Sequence, residues 1–265
     1  MRKSHPGLFE IKIHNLKKRN AIAGIIEKKL TELINDAQEN EDIKVILLHG
    51  GRFFSSGNDL GGFTDAIKRG DMTDYLKIAE KGVNVVLVDM LLAMSQSRKP
   101  IVAVVRGGAI GIGFTMLAHA HFVYCSPEAI FKTPFMESGQ SPEGTSTYLF
   151  PKIFGPRLAN ELLLSDKILN SQEAVTSGFV NGIISSFNPQ SEWFDPSTIP
   201  AIPKLLKNDY RTLTNCMNEL ILSQNNDKLE SVTRREGKAL VATWASPGFM
   251  KKMQVYLQQT VMKKK

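Results

Sequence analysis

Glu143 lies in ESGQSPEGTST (137–147), a run of small and turn-forming residues where an ordinary surface charge has little reason to sit. Two glycine-rich segments precede it, RFFSSGNDLGGF (52–63) and RGGAIGIGF (106–114). Glycines let a chain turn tightly enough to aim successive backbone N–H groups at one point, most readily where a strand runs into a helix. A carboxylate facing two such donors suits proton transfer beside a carbonyl: the donors hold the charge of an enolate oxygen and the carboxylate carries the proton.

Each segment also has a plainer reading. SSGND is a common turn composition. The glycines of GGAIGIG also serve close backbone packing. A dinucleotide-binding loop of the Rossmann type is disfavoured, because no acidic residue occurs between Val105 and Pro127 and Glu128 is the first candidate. Pro142 fixes the backbone before Glu143, and Gly144, Thr145 and Ser146 can open a helix, so Glu143 is either a base or a cap near that helix N-terminus. Glu137 precedes it by six positions and either raises its pKa by like-charge repulsion or points to solvent. The five histidines form no constellation with a serine or cysteine nucleophile, and His119 and His121 have strand-like alternation.

The elements that must position these residues alternate between strand and helix. Phe9, Ile11 and Ile13 alternate with polar residues, while Ile25, Ile26, Leu30, Leu33, Ile34 and Ala37 fall at helical spacing. The buried-strand run IKVILL (43–48), a helical region over 73–97 and a second buried strand IVAVV (101–105) follow. A helix is expected over 111–118, then the short apolar runs HFVYC and AIFKT. Strands alternating with helices indicate parallel units of an α/β fold. From about 145 the chain turns helical, with a short strand near 179–184. A proline-rich stretch at 186–203 reads as a hinge, and a helical region runs from 201 onward, giving an expected division into 1–200 and 201–265.

At 265 residues one main domain is expected. No apolar stretch is long enough for a membrane span. Cys125 and Cys216 have no metal-ligand spacing and read as buried thiols in a reducing compartment. The formal charge of +7 raises nucleic acid as a partner, but the lysines and arginines are dispersed and not interleaved with aromatics, so this is disfavoured. Lys17-Lys18-Arg19, Lys251-Lys252 and Lys263-Lys264-Lys265 are the densest groups, and one of them could meet a phosphorylated ligand. MRKSHPGLFE lacks the apolar core of a secretory signal, and the terminal lysines are not a Ser-Lys-Leu address. No targeting signal is read.

Taken together, KKRNAI (17–22), FFSSGNDL, VRGGAIGIG, TPF, GQSPEG and FPKI resemble the crotonase, or enoyl-CoA hydratase/isomerase, family, most nearly its peroxisomal-type Δ3,Δ2-enoyl-CoA isomerases. The resemblance covers almost the whole chain. It implies the ClpP-like crotonase fold: repeated ββα units in a spiral core with a C-terminal helical region that builds a trimer, often paired into a hexamer. It also implies an acyl-CoA substrate, CoA being part of the substrate with no separate cofactor or metal, and a peroxisomal or mitochondrial setting. The backbone N–H groups of Asn58 and Ile112 would form the oxyanion hole and Glu143 would be the base. Lys18, Arg19, Ala21, Ser55, Ser56, Gly57, Asn58, Asp59, Leu60 and Gly111 would contact the substrate. Thr115 and Phe135 stand where the hydratases place their two glutamates, which makes hydration the weaker alternative. Arg106 and Gly108 replace the usual Asn and Pro. A catalytically silent acyl-CoA binder and an RNA-binding protein are the readings from other classes.

Overall fold

The computed structural model describes residues 2–185, 187 and 192–262, leaving aside the side chains of 2–4, 67 and 260–262. The terminal Lys263-Lys264-Lys265 group lies outside the described residues. Among the described residues nine strands form two sheets. The larger sheet has the order β1 (Arg2–His5), β2 (Gly7–Lys12), β3 (Ile43–His49), β4 (Ile101–Val105), β6 (Phe122–Cys125) and β9 (Gly182–Ile183). The smaller sheet has the order β5 (Gly108–Ile110), β7 (Ile130–Lys132) and β8 (Ile168–Asn170). After β4 the chain passes from the large sheet to the small one and back, which winds a spiral.

Apart from the antiparallel β1–β2 pair, neighbours in the large sheet are parallel. Parallel neighbours need crossovers. Helix α1 (Gly24–Glu39) joins β2 to β3; α2 (Gly61–Arg69), α3 (Thr73–Lys81) and α4 (Val88–Ser95) join β3 to β4. The middle strands read as unbroken apolar runs because both faces are covered. Ile46, Leu48, Ala103 and Val105 enter the larger core with Leu30, Ile34 and Ala37 of α1. Val45, Leu47, Val102 and Val104 face the other way, toward Phe194, Ile199 and Ile202. Ile25 fits the same helical spacing as the buried residues of α1 yet is 79% exposed, because it lies in the first turn, outside the core.

The helical stretch expected over 73–97 is divided: a π-helical segment, Gly82–Leu87, separates α3 from α4. A second glycine-rich expectation is also refined. Part of RGGAIGIGF is strand β5, and the helix after it consists of α5 (Ile112–Thr115) and a 3-10 turn, Met116–His119. His119 and His121 therefore lie before β6, not on a strand. Both are buried or partly so, and the Ile101 N–H donates to His121 Nδ1 at 3.0 Å.

The rest of the chain contributes α6 (Phe135–Ser138), α7 (Ser146–Leu164, bent at Gly155), α8 (Ser171–Thr176), α9 (Ala201–Leu206), α10 (Tyr210–Ser223), α11 (Asn226–Trp244) and α12 (Pro247–Met262). Helix α11 packs on α3, α4, α7 and the π-helical segment. Of the stretch read as a hinge, Ser186 and 188–191 lie outside the described residues; its later part is anchored by buried Phe194, Pro196 and Ile199. Cys125 is buried, but Cys216 is exposed on α10, which corrects the expectation of two buried thiols.

Candidate active site

The two glycine-rich segments run side by side, joined by an isolated parallel bridge between Ser55 and Ala109. The Ser55 N–H donates to Gly108 O and the Ile110 N–H to Ser55 O, each at 3.0 Å. Their approach requires Gly57, which has φ 87° and whose added Cβ would sit 2.7 Å from Ile110 O. Just beyond this contact come Asn58 and Ile112. Among the described residues neither of their N–H groups is committed to a backbone carbonyl, and both residues line one cavity of about 270 Å³.

The turn KKRNAI locks the first segment from below. Arg19 and Asn20 are both left-handed, with φ 49° and 57°. Asn20, fully buried, donates its side-chain amide to Gly50 O and Phe53 O and accepts from the Asn15 N–H. Ser55 Oγ donates to Asn20 O at 2.9 Å and receives the Gly57 N–H; the Ser56 N–H donates to Arg19 O. Asn20 thus ties its own turn to the loop after β3, a role that asparagine's tolerance of left-handed backbone permits and that its spacing alone does not reveal.

Glu143 lies against the same cavity at 8% exposure. Its Oε1 accepts a hydrogen bond from Thr115 Oγ1 at 3.0 Å, while Oε2 is buried without a partner among the described residues. Burial pushes its pKa up to about 8; the Thr115 hydrogen bond opposes this, and the charges of Glu236 and Glu27 add to it. Gly144 makes the Thr115 contact feasible. At φ 74°, a Cβ on it would lie 2.2 Å from Thr115 Oγ1. Its carbonyl lies 3.1 Å from His119 Nε2, and with the ring kept neutral by burial, its pKa lowered to about 4, that nitrogen carries the proton and donates.

Glu143 does not cap the helix that follows it. That task falls to Glu236 on α11, a buried carboxylate that accepts the N–H groups of Thr145 at 2.7 Å and Thr147 at 2.9 Å, and the Thr147 hydroxyl as well. Thr145 Oγ1 and Thr233 Oγ1 meet at 2.6 Å, one helical turn earlier on α11. An acid nearly nine-tenths of the way along the chain therefore fixes the loop after Glu143. No local signal in the sequence announces it.

Glu137 is settled in favour of solvent: it pairs with Lys132 at 2.7 Å and its side chain is about half exposed. The neighbouring acid that does reach the cavity is Glu27, in the first turn of α1. Its carboxyl is partly open to the cavity, yet the protein around it pushes its pKa up to about 7.

Of the residues singled out in the sequence, Ser56, Gly57, Asn58, Asp59, Leu60, Gly111, Ile112 and Glu143 line this one cavity, with Phe135. Lys18 stands at the rim, paired with Asp59 at 2.6 Å. Arg19, Ala21 and Ser55 are not part of the wall: Arg19 offers its backbone to the loop, and Ala21 and Ser55 are buried behind it. Arg106 forms an ion pair with Glu128 at 2.8 Å and lies over the Phe187 ring, away from the cavity. Thr115, notable in the sequence for what it replaces, is the hydrogen-bond partner of Glu143. Trp244 and Leu240 of α11 and Tyr256 of α12 complete the wall.

The model of the enoyl-CoA hydratase/isomerase family matches residues 3–262. The chain is 34% identical over 245 residues to enoyl-CoA delta isomerase 2 of Homo sapiens, covering 92% of this chain and 59% of that protein. It is 30% identical over 254 residues to the peroxisomal enoyl-CoA delta isomerase 3 of Mus musculus, covering 96% and 76%. It thus spans less than two thirds of the human protein. The crystal structure of an enoyl-CoA hydratase from Bacillus halodurans superposes with a TM-score of 0.83 over 96% of this chain and 98% of that one, at 22% identity. That likeness is one of fold, and it agrees with the spiral core and helical C-terminal region.

Proposed function

The chain belongs to the enoyl-CoA hydratase/isomerase family, and on that footing we propose that it is a Δ3,Δ2-enoyl-CoA isomerase acting on unsaturated fatty acyl thioesters. One observation carries the reading: the buried Glu143 carboxyl shares a cavity with two uncommitted backbone N–H groups, those of Asn58 and Ile112. In this reading the thioester oxygen accepts from both donors. The C2 proton, flanked by the carbonyl and the 3,4 double bond, passes to the Glu143 carboxylate and the charge spreads onto the oxygen. Glu143 then returns the proton to C4, leaving the double bond at position 2 in conjugation with the carbonyl.

Each preorganised donor is worth on the order of 3 kcal/mol to such an enolate. A base that titrates near 8 is strong enough to attack an activated C–H, and its conjugate acid still gives the proton back. The reaction consumes no water and changes no oxidation level, so CoA as part of the substrate suffices without a separate cofactor. Lys18 and Arg19, at and behind the rim, are proposed to meet the CoA phosphates. The proposed role is in fatty acid β-oxidation, in a peroxisomal or mitochondrial setting; the murine relative is a peroxisomal enoyl-CoA delta isomerase. The same reading assigns residues from 201 onward to a lid and trimer contact, and exposed Leu220 and Leu222 on α10 are the apolar surface available for it.

A purified-protein assay with a 3-enoyl-CoA tests the proposal. Conjugated product should form with the wild type and fall by roughly 100-fold or more in Glu143→Gln. Undiminished turnover in that variant removes Glu143 from the mechanism. Binding without conversion identifies a silent acyl-CoA binder, and water addition to a 2-enoyl-CoA identifies a hydratase.

A further inference from the structure

The Glu27 carboxyl is not the base of the proposed shuttle, although its charge helps to raise the pKa of Glu143, and it faces the same cavity. The cavity it shares is lined more by apolar than by polar groups, among them Ile78 and Ala79 of α3 and Val83 and Leu87 of the π-helical segment against which α1 packs. Glu27 engages its backbone in hydrogen bonds, its N–H donating to Ala23 O at 3.1 Å and its carbonyl accepting from Thr31 Oγ1 at 3.0 Å. Its carboxyl turns back toward the start of α1, where a Cβ added at Gly24 would lie 3.9 Å from Oε2, and the N-cap residue Ala23 supplies no polar side chain there.

A carboxyl set in an apolar wall rejects a plain alkyl chain, because the chain strips water from it and returns no hydrogen bond. It favours a chain that brings a polar group of its own. Because burial holds the group near pKa 7, both of its protonation states are populated around neutrality. An ammonium group matches only the ionised state. A hydroxyl donates to the carboxylate and accepts from the acid, so it is satisfied in both.

We infer that Glu27 is a specificity-determining residue that selects acyl-CoAs carrying a hydroxyl group on the acyl chain beyond the reacting carbons. The inference rests on the acyl-CoA reading of the cavity and narrows the substrate class within it.

Binding of saturated acyl-CoAs tests it without any turnover. Dissociation constants are measured calorimetrically for octanoyl-CoA and for octanoyl-CoAs hydroxylated at successive carbons beyond the fourth, with the wild type, Glu27→Leu and Glu27→Gln. Wild type should favour at least one hydroxylated chain, and the ratio of plain to hydroxylated dissociation constants should fall about tenfold in Glu27→Leu. Glu27→Gln, which keeps both donor and acceptor, should retain part of the preference and shows that loss in the leucine variant is not loss of fold. An unchanged ratio in Glu27→Leu, or no preference in the wild type while octanoyl-CoA still binds, overturns the assignment and leaves the acyl-CoA reading standing. If no acyl-CoA binds the wild type, both fall together.

Discussion

Glu236 and Thr145 are 91 positions apart, and a 2.7 Å hydrogen bond joins the Thr145 N–H to the Glu236 carboxylate. Through it and the matching bond from Thr147, α11 supplies the N-terminal cap of α7 and fixes the backbone immediately after Glu143. The same carboxylate raises the pKa of Glu143, so one residue contributes to both the position and the basicity of the proposed base.

In Glu236→Gln a single oxygen remains to serve donors that now have two acceptor atoms. One N–H at the start of α7 loses its partner, at a cost of about 1–3 kcal/mol for a buried donor. Turnover of a 3-enoyl-CoA is expected to drop by about tenfold. The apparent pKa of the pH–rate profile is expected to move to lower pH, since a negative neighbour of Glu143 has gone. A fall in rate with the profile unmoved would assign Glu236 a purely structural role.

Thr115→Val keeps the shape of the side chain and removes the O–H that stabilises ionised Glu143. Loss of that bond should raise the pKa of Glu143 by about one unit, equivalent to about 1.4 kcal/mol. Rates at neutral pH then decline about tenfold and recover above pH 9 or so. A uniform decline at every pH would show that Thr115 acts on shape and not on ionisation.

Burial of Glu143 has a consequence for stability with a defined sign. Its folded-state pKa of about 8 lies above the ordinary 4.5, so between those values the native protein retains a proton that the unfolded chain has released. Stability from this group is thus full below pH 4.5 and is lost as pH rises through about 8. Glu143→Gln does not ionise and escapes the loss. Thermal unfolding should show the variant gaining on the wild type by about 2 °C or more between pH 5 and pH 8.5. A constant gap across this range would mean that Glu143 titrates as an ordinary exposed acid.

Much of the architecture follows from local residue patterns. The unbroken apolar runs of β3 and β4 record strands covered on both faces, and the spacing of Leu30, Ile34 and Ala37 records the buried stripe of α1. The glycines of SSGND and GGAIGIG mark places where backbone must turn or approach closely, and Gly57 against Ile110 bears this out. Such features are legible because they depend on φ/ψ freedom and on periodicity, which neighbouring residues determine.

Roles that depend on distant partners could not be read in this way. Glu143 alone was compatible with a base or a helix cap; the choice against the cap came from Glu236, delivered by α11 after the chain had closed on itself. Glu137, nearest in sequence, turned to Lys132, while Glu27, more than a hundred positions away, reached the same cavity. The amino-acid sequence by itself determined which residues could turn, bury or ionise. Which carboxyls share a cavity, and which of them is held in place by another, was decided by tertiary packing, because electrostatic coupling and hydrogen bonding act through space and not along the chain.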